Sequence, residues 1–400
     1  MRAKLGYHNI TFAEQEDSIR LTLLEHFIHD IPRSTLEAIA PVHVEEGDLV
    51  FEGISEKKAE NKFFRILDHA LRNLYSTATK KPVSYVHSES GIPLMGCIAF
   101  GIVDRGTDML EIKPLTGCNI NCIFCSVDEG ISSKKTTDIV VEADYLIEET
   151  RKLLEFKEHN GVDIYLNPHG DPTLYADLVY LVKGLRTLPQ VRVVTMITNA
   201  QLLTQEKIDE LIKAGLNRIN ISISATDELE GKKAAGWGQY DVKHVMNMVE
   251  YCSERIETFI GPVYLPGVNE QSIEDVVAWA KHLNVTIGIQ NFLPYKGGRN
   301  PVKGVSMEKF FEFLKRLEEK YEVNLTSFDY ELIPTKELPM QFKKNDVVRA
   351  EIVLPGRYAH EKIGKAGDRC ITIRNCTQES GTLKVKIIKA KNNLFTAIPL

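Results

Sequence analysis

The residues best suited to chemistry are three cysteines in one short stretch, CNINCIFC, at Cys118, Cys122 and Cys125. Their spacing is C-x3-C-x2-C, with Phe124 directly before the third. Thiolates are the usual ligands of iron–sulfur clusters, and a [4Fe–4S] cluster takes four of them. Three from one loop leave one iron open to a small molecule with donor atoms of its own. Zinc and buried structural thiols are the competing readings. A structural zinc site wants four closed ligands, often as two short-spaced pairs. Here the next cysteines are Cys97 upstream and Cys252 downstream, with no matching fourth ligand nearby. Inert core thiols rarely gather in a polar loop. The spacing therefore points to a cluster.

The chain that must position these cysteines has 400 residues, 43% hydrophobic and 26% charged. That is ordinary for a soluble protein of two or three domains. No apolar run approaches the roughly 20 residues of a membrane span, and the N-terminus lacks the apolar core of a signal peptide. Seven cysteines, three of them clustered, fit a reducing compartment, so a cytoplasmic location without membrane contact is expected. The net charge of −6 is uneven. Residues 341–400 hold 12 Lys and Arg against 5 Asp and Glu, a net +7, which leaves −13 for the remainder. A basic tail on an acidic body suggests a polyanionic partner.

Residues 1–105 read as an α+β accessory region. Ile19, Leu23, Leu24, Phe27 and Ile28 share a helical face, so the spacing predicts a helix over Ser18–Ile31, capped by Ser18 and stopped by Pro32. HVEEGDLVFEGI reads as strand–turn–strand, and a second helix is expected over Glu56–Tyr75. A hairpin over Cys97–Ile112 leads into the cysteine loop. Beyond it, Val- and Ile-rich strands alternate with amphipathic helices as far as the helix at Met307–Tyr321. Strands are expected at Asp163–Pro168, Val191–Asn199, Asn217–Ser224, Ile256–Leu265 and Val285–Leu293. With the strand before the cysteine loop this makes about six β/α units around a parallel sheet. In such barrels active sites gather at the C-terminal ends of the strands. Residues 341–400 contain several short strands, with Leu383, Val385 and Ile387 alternating with Lys384 and Lys386, and suggest a small antiparallel barrel.

The cysteine spacing, the aromatic before the third cysteine and the β/α run resemble the radical SAM superfamily. The resemblance covers about Leu110 to Asp329, within a core of 106–335. It implies a partial (β/α)6 barrel in which Cys118, Cys122 and Cys125 hold the cluster. The open iron would chelate S-adenosylmethionine, and an electron from a donor such as ferredoxin or flavodoxin would release a 5′-deoxyadenosyl radical. Other motifs follow the strands. His169-Gly170-Asp171-Pro172-Thr173 resembles the family's G-E-P-T, with Asp for Glu and His169 in place of a glycine. The resemblance assigns the methionine amino group to Gly170 and Asp171, although a Gly-Asp-Pro turn before a capped helix explains the same residues. Asn199, in Thr198-Asn199-Ala200, is expected at the cofactor. Ser222 and Ser224 lie on one side of their strand, and the resemblance sends one of them to the ribose. Leu265, in PVYLPGVNE, falls in a stretch that packs on adenine in the family. Lys296, Gly297, Gly298 and Arg299 form a cationic loop, either a grip on substrate phosphate or a solvated loop.

The tail resembles a TRAM domain, an RNA-binding barrel. The candidate phosphate contacts are Arg349, Arg357, Lys362, Lys365, Lys384, Lys386 and Lys389, although alternating lysines also keep a sheet edge soluble. The combined reading is a radical SAM enzyme that modifies RNA, with a tRNA base as target and methylation or a related C–H functionalisation as reaction. The alternatives are an enzyme on a small metabolite, peptide or cofactor precursor, with the barrel as a lid, and a zinc-containing RNA-binding protein without catalysis. Methylthiolation is disfavoured, because Cys97 is the only cysteine before Cys118. Cys97, Cys252, Cys370 and Cys376 remain unassigned between core packing, extra ligation and a methyl-carrying thiol.

Overall fold

The computed structural model describes residues 1–7, 9–327 and 331–400. Asp329, the far limit of the resemblance, lies outside the described residues. At the centre is a seven-stranded sheet, ordered from Thr286–Ile287 through Glu257–Ile260, Arg218–Ile221, Val191–Thr198, Val162–Leu166 and Met109–Lys113 to Gly101–Asp104. Every neighbouring pair is parallel except the last, which is the expected hairpin. Parallel strands covered by helices must be apolar on the covered face. Accordingly Ile164, Val194, Met196, Ile219, Ile221 and Ile260 are fully buried. Between these strands run helices whose ends follow from their caps: Thr204 accepts from Lys207 N at 3.2 Å to open Gln205–Ala214, and Ser306 opens Met307–Tyr321. A helix at Glu228–Ala235, capped by Asp227, was not anticipated: only eight residues long, it carries a weak apolar stripe.

The expected helix over Ser18–Ile31 is instead a hairpin, Ser18–Leu23 paired antiparallel with Phe27–Pro32. Ile19 and Leu23 satisfy both periods, but Leu21 breaks the tie by being buried on the same face. Leu24 and Glu25 turn the chain at φ 50° and 62°, and Arg20 pairs across the strands with Asp30 at 2.7 Å. The hairpin belongs to a six-stranded sheet backed by the helix Glu56–Arg72. That sheet also takes in Asp138–Val141, the segment leaving the cysteine loop, as a parallel neighbour of Pro82–Val86.

The tail closes into a five-stranded barrel of Val347–Pro355, Glu361–Ala366, Arg369–Arg374, Leu394–Pro399 and Gly381–Lys391. One pair, Arg369–Arg374 with Leu394–Pro399, is parallel, so the barrel is not wholly antiparallel as expected. Its own core contains Ala350, Ile371, Ile373, Val385, Ile387 and Phe395. The barrel docks on residues 91–96, where Cys370 N donates to Met95 O at 2.7 Å and Phe395 N to Gly96 O at 3.0 Å. Among the described residues no helix is long and apolar enough to cross a membrane.

Candidate active site

A cavity of about 510 Å³ opens at the C-terminal ends of the central strands. Cys118, Cys122 and Cys125 lie along one wall, and Gly170, Asp171 and Asn199 along the next. Ser222 and Ser224 reach it from the strand after Arg218. Leu265 does not line it: that residue is buried beside the cavity, with its N–H held by Asn269 Oδ1 at 2.7 Å, and Val263 takes the wall position. Alternation in a continuous strand would put Val263 and Leu265 on one face, but the strand ends at Tyr264, so Leu265 no longer follows that alternation.

Short parallel pairing joins Thr116–Gly117 to His169–Gly170, directly before Cys118. Asp171 is 1% exposed and its carboxylate is fully engaged. It accepts from Thr198 Oγ1 at 3.0 Å, from Thr173 N at 2.9 Å and from Asn199 N at 2.7 Å. Burial pushes its carboxyl above the usual range, against these hydrogen bonds. The carboxylate therefore ties the turn after one strand to the end of the next. Asn199 extends the brace: its Nδ2 donates to Asn119 Oδ1 at 2.8 Å and approaches Cys118 Sγ at 3.8 Å. Ser224 Oγ accepts from Val263 N at 3.2 Å.

The cysteine loop has little regular structure, so its polar backbone needs partners from elsewhere. Asn121 N and Ile123 N donate to Ala235 O and Ala234 O, at 2.9 and 3.0 Å, from the unanticipated short helix. Arg299 supplies a second clamp. Its guanidinium binds Asp128 Oδ1 at 2.8 Å, Cys122 O at 3.0 Å and Glu129 O at 2.8 Å. That occupies the side chain which the sequence offered as a phosphate grip, while Lys296 remains exposed. Gly298 allows the approach, because a side chain there would stand 2.8 Å from Cys125 O. No local signal in the sequence distinguishes a bracing arginine from a solvated one.

Three of the seven candidate phosphate contacts on the barrel are likewise occupied. Arg357 is buried against Glu129, Lys362 pairs with Glu379, and Lys365 Nζ donates to Gly91 O at 2.6 Å. Arg349, Lys384 and Lys389 are exposed and Lys386 is half-buried, and no ion pair holds these four among the described residues. Cys97 and Cys370 are buried where the barrel docks, Cys376 sits in the barrel core and Cys252 in the main core.

The donor set suits a cluster. Burial, then Asp171 and Cys122, push the Cys118 thiol well above its usual range. Burial and Cys125 push Cys122 up to about 12. Ligation needs the thiolate form, and cationic metal beside Cys118 and Cys122 would offset the burial that raises these two thiols. Among the described residues no three His, Cys, Asp or Glu side chains close on one point as ligands of a single ion do. A cluster takes one thiolate per iron and asks for no such convergence.

The family model described as the radical SAM superfamily matches residues 112–280. An uncharacterized protein of Methanocaldococcus jannaschii is 35% identical over 389 residues, covering 88% of this chain and 89% of that one. The chain belongs to the radical SAM superfamily. Radical SAM proteins use a [4Fe–4S] cluster and S-adenosylmethionine, and these are its cofactors. The GTP 3′,8-cyclase of Thermodesulfovibrio yellowstonii is 27% identical, over 60% of this radical SAM chain and 69% of its own length. The structure of Streptococcus suis SuiB bound to S-adenosylmethionine aligns with a TM-score of 0.42 at 17% identity, over 80% of this chain and 71% of that one.

Proposed function

We propose that this radical SAM enzyme modifies RNA, with a base of tRNA as target, and that the outer face of its C-terminal barrel holds the phosphate backbone. Cys118, Cys122 and Cys125 hold the cluster, which supplies the electron that cleaves S-adenosylmethionine when both are bound. Gly170 and Asn199 present backbone and amide to the methionine end, Asp171 fixes both, and Ser222 faces the ribose. Val263 supplies the adenine wall, and Asn269 ties it to Leu265 by bonding the Val263 carbonyl and the Leu265 N–H. The partial (β/α)6 barrel leaves its lateral opening for a macromolecular substrate, and a ferredoxin or flavodoxin delivers the electron. The reaction is a C–H functionalisation such as methylation, in the cytoplasm, and the barrel acts as a TRAM-like module.

The separation of charge carries this reading. Among the described residues no Lys, Arg or His lines the cavity. Outside, Arg349 and Lys384 stand directly opposite each other on paired strands, both exposed. Like charges in that position repel unless an anion lies between them. A polyanion on the barrel and a neutral base in the cavity satisfy both, provided the base leaves its stack. The alternative, a small nucleotide such as the GTP named for the cyclase relatives, would bring a triphosphate into a cavity wall without cations.

The test is anaerobic reconstitution with S-adenosylmethionine and reductant, scored for 5′-deoxyadenosine against the Cys118→Ala/Cys122→Ala/Cys125→Ala protein. Mass spectrometry of tRNA nucleosides from cells with and without the protein follows. Radical formation with an unchanged nucleoside profile and no RNA binding at low salt would reject the RNA reading and keep the chemistry.

A further inference from the structure

The cysteine loop is also held by a residue of the C-terminal barrel. Arg357 lies in the turn between Val347–Pro355 and Glu361–Ala366 and is 7% exposed. Its Nη2 donates to Val127 O at 2.8 Å and pairs with the Glu129 carboxylate. Its Nη1 donates to His169 Nδ1 at 3.2 Å. Its carbonyl accepts from Thr136 N at 2.6 Å, and the neighbouring Tyr358 hydroxyl adds a bond to Val127 O at 3.2 Å. One guanidinium thus touches the loop that carries the cysteines and the strand end that carries Gly170.

Glu129 is the link to the sulfur. Its backbone N–H donates to Cys125 Sγ at 3.3 Å, while Arg357 and Lys135 fix its side chain. Lys135 also serves Asp138 at 2.5 Å, so two cations balance two anions in this buried group. Removing Arg357 leaves Glu129 and Asp138 to share Lys135, with one negative charge in excess behind Cys125. Hydrogen bonds to cluster sulfurs and nearby charge set the reduction potential of a cluster, and such outer partners orient its ligands. A positive charge and an aimed N–H both favour the reduced cluster.

We propose that Arg357 is a positioning residue: through Glu129 it aims an N–H at the Cys125 sulfur and so makes the C-terminal barrel part of the cluster's electronic environment. The inference rests on Cys118, Cys122 and Cys125 holding the cluster. The experiment uses the full reconstituted chain with Arg357→Gln and Arg357→Lys, and Arg374→Ala, an exposed arginine of the same barrel, as control. The readouts are the midpoint potential, the electron paramagnetic resonance spectrum of the reduced cluster with and without S-adenosylmethionine, and the rate of iron loss to a chelator. Arg357→Gln is expected to lower the potential, to alter the spectrum and to speed iron loss by about 10- to 100-fold. Arg357→Lys keeps the charge and loses the fork, so it falls between, and Arg374→Ala matches the parent. A folded Arg357→Gln protein with parental potential, spectrum and iron retention overturns the inference. If Arg357→Gln does not fold, parental behaviour of Arg357→Lys in all three readouts overturns it instead. A parent chain that takes up no cluster is a separate result and overturns the cysteine assignment beneath it.

Discussion

Gly170→Ala isolates the contact on which the candidate site depends. Gly170 has φ 148°, and it pairs with Gly117 in the short strand just before Cys118. A Cβ built on Gly170 would stand 2.7 Å from Gly117 N and nearer still to its carbonyl. Both atoms are backbone, so no side chain can swing aside. The two segments must part by more than the 0.7 Å between 2.7 Å and ordinary contact at 3.4 Å. The neighbour that moves is the residue before the first cysteine. Backbone strain of about 1–3 kcal/mol and overpacking of about 1–3 kcal/mol together give roughly 2–6 kcal/mol. Relief by local displacement is cheaper than unfolding, so the chain folds with Cys118 out of place.

A shift near 1 Å at a reacting centre costs about 100-fold in rate. The expected protein therefore loses about that factor in 5′-deoxyadenosine production and binds iron poorly. Gly53→Ala is the control: it also has positive φ, 78°, but nothing lies within 4 Å of the added methyl. It should cost about 1–2 kcal/mol of stability and no activity. Iron and sulfide content, cofactor binding by calorimetry and initial cleavage rate make the assay. A Gly170→Ala protein with parental iron content and parental rate would refute the claim that this close approach sets the position of Cys118.

Lys135→Met should destabilise the chain by about 3–5 kcal/mol, because it leaves the buried Asp138 with no paired cation among the described residues and Glu129 with Arg357 alone, one negative charge in excess. Adding Glu129→Gln should recover part of the loss, and strict additivity in thermal inactivation would show that the charges are uncoupled. Lys384→Glu/Lys386→Glu should weaken RNA binding and reduce the slope of log affinity on log salt by about one per lost phosphate contact, and an unchanged slope in filter binding would move the RNA elsewhere. His169 is buried, and burial, then Arg357, hold its pKa well below 6.5. The unfolded chain therefore takes up a proton that the folded one refuses, and stability present above pH 6.5 falls as pH drops below it, by about 1.4 kcal/mol per unit at most. His169→Gln should flatten that limb of the urea-midpoint profile, and an unaltered profile would assign the acid sensitivity to another group.

The parts of this molecule that were legible in its sequence are those where one local pattern decides the outcome. The helices at Gln205–Ala214 and Met307–Tyr321 carry a cap, a stripe and a stop in contiguous residues. The strand-end motifs converge because parallel topology brings successive C-terminal ends together whatever the loops do. Ser18–Ile31 misled because Ile19 and Leu23 fit both periods, and only pairing with Phe27–Pro32 resolves them. The site's second layer was invisible for another reason. Arg299 read as part of a phosphate grip or a solvated loop and Arg357 as a candidate RNA-phosphate contact, and their bracing roles arise only when distant carbonyls and carboxylates are folded against them.

The two accessory modules can be understood from the same requirement. The loop from Cys118 to Thr137 must bring polar backbone and charged groups into a dry wall, and it has too little pairing of its own to satisfy them. Its exit is fixed by Asp138–Val141 entering the N-terminal sheet beside Pro82–Val86. Its middle is fixed by Arg299 from the last β/α connection, and its outer side by Arg357 from the barrel. Each support comes from a different part of the chain, so none can set the loop alone. A domain that contributed only substrate affinity would have no reason to bury an arginine against the cysteine loop. The barrel does so while keeping Arg349 and Lys384 exposed on paired strands, and under the proposed RNA reading one fold would join the recognition of a polyanion to the setting of the cluster loop.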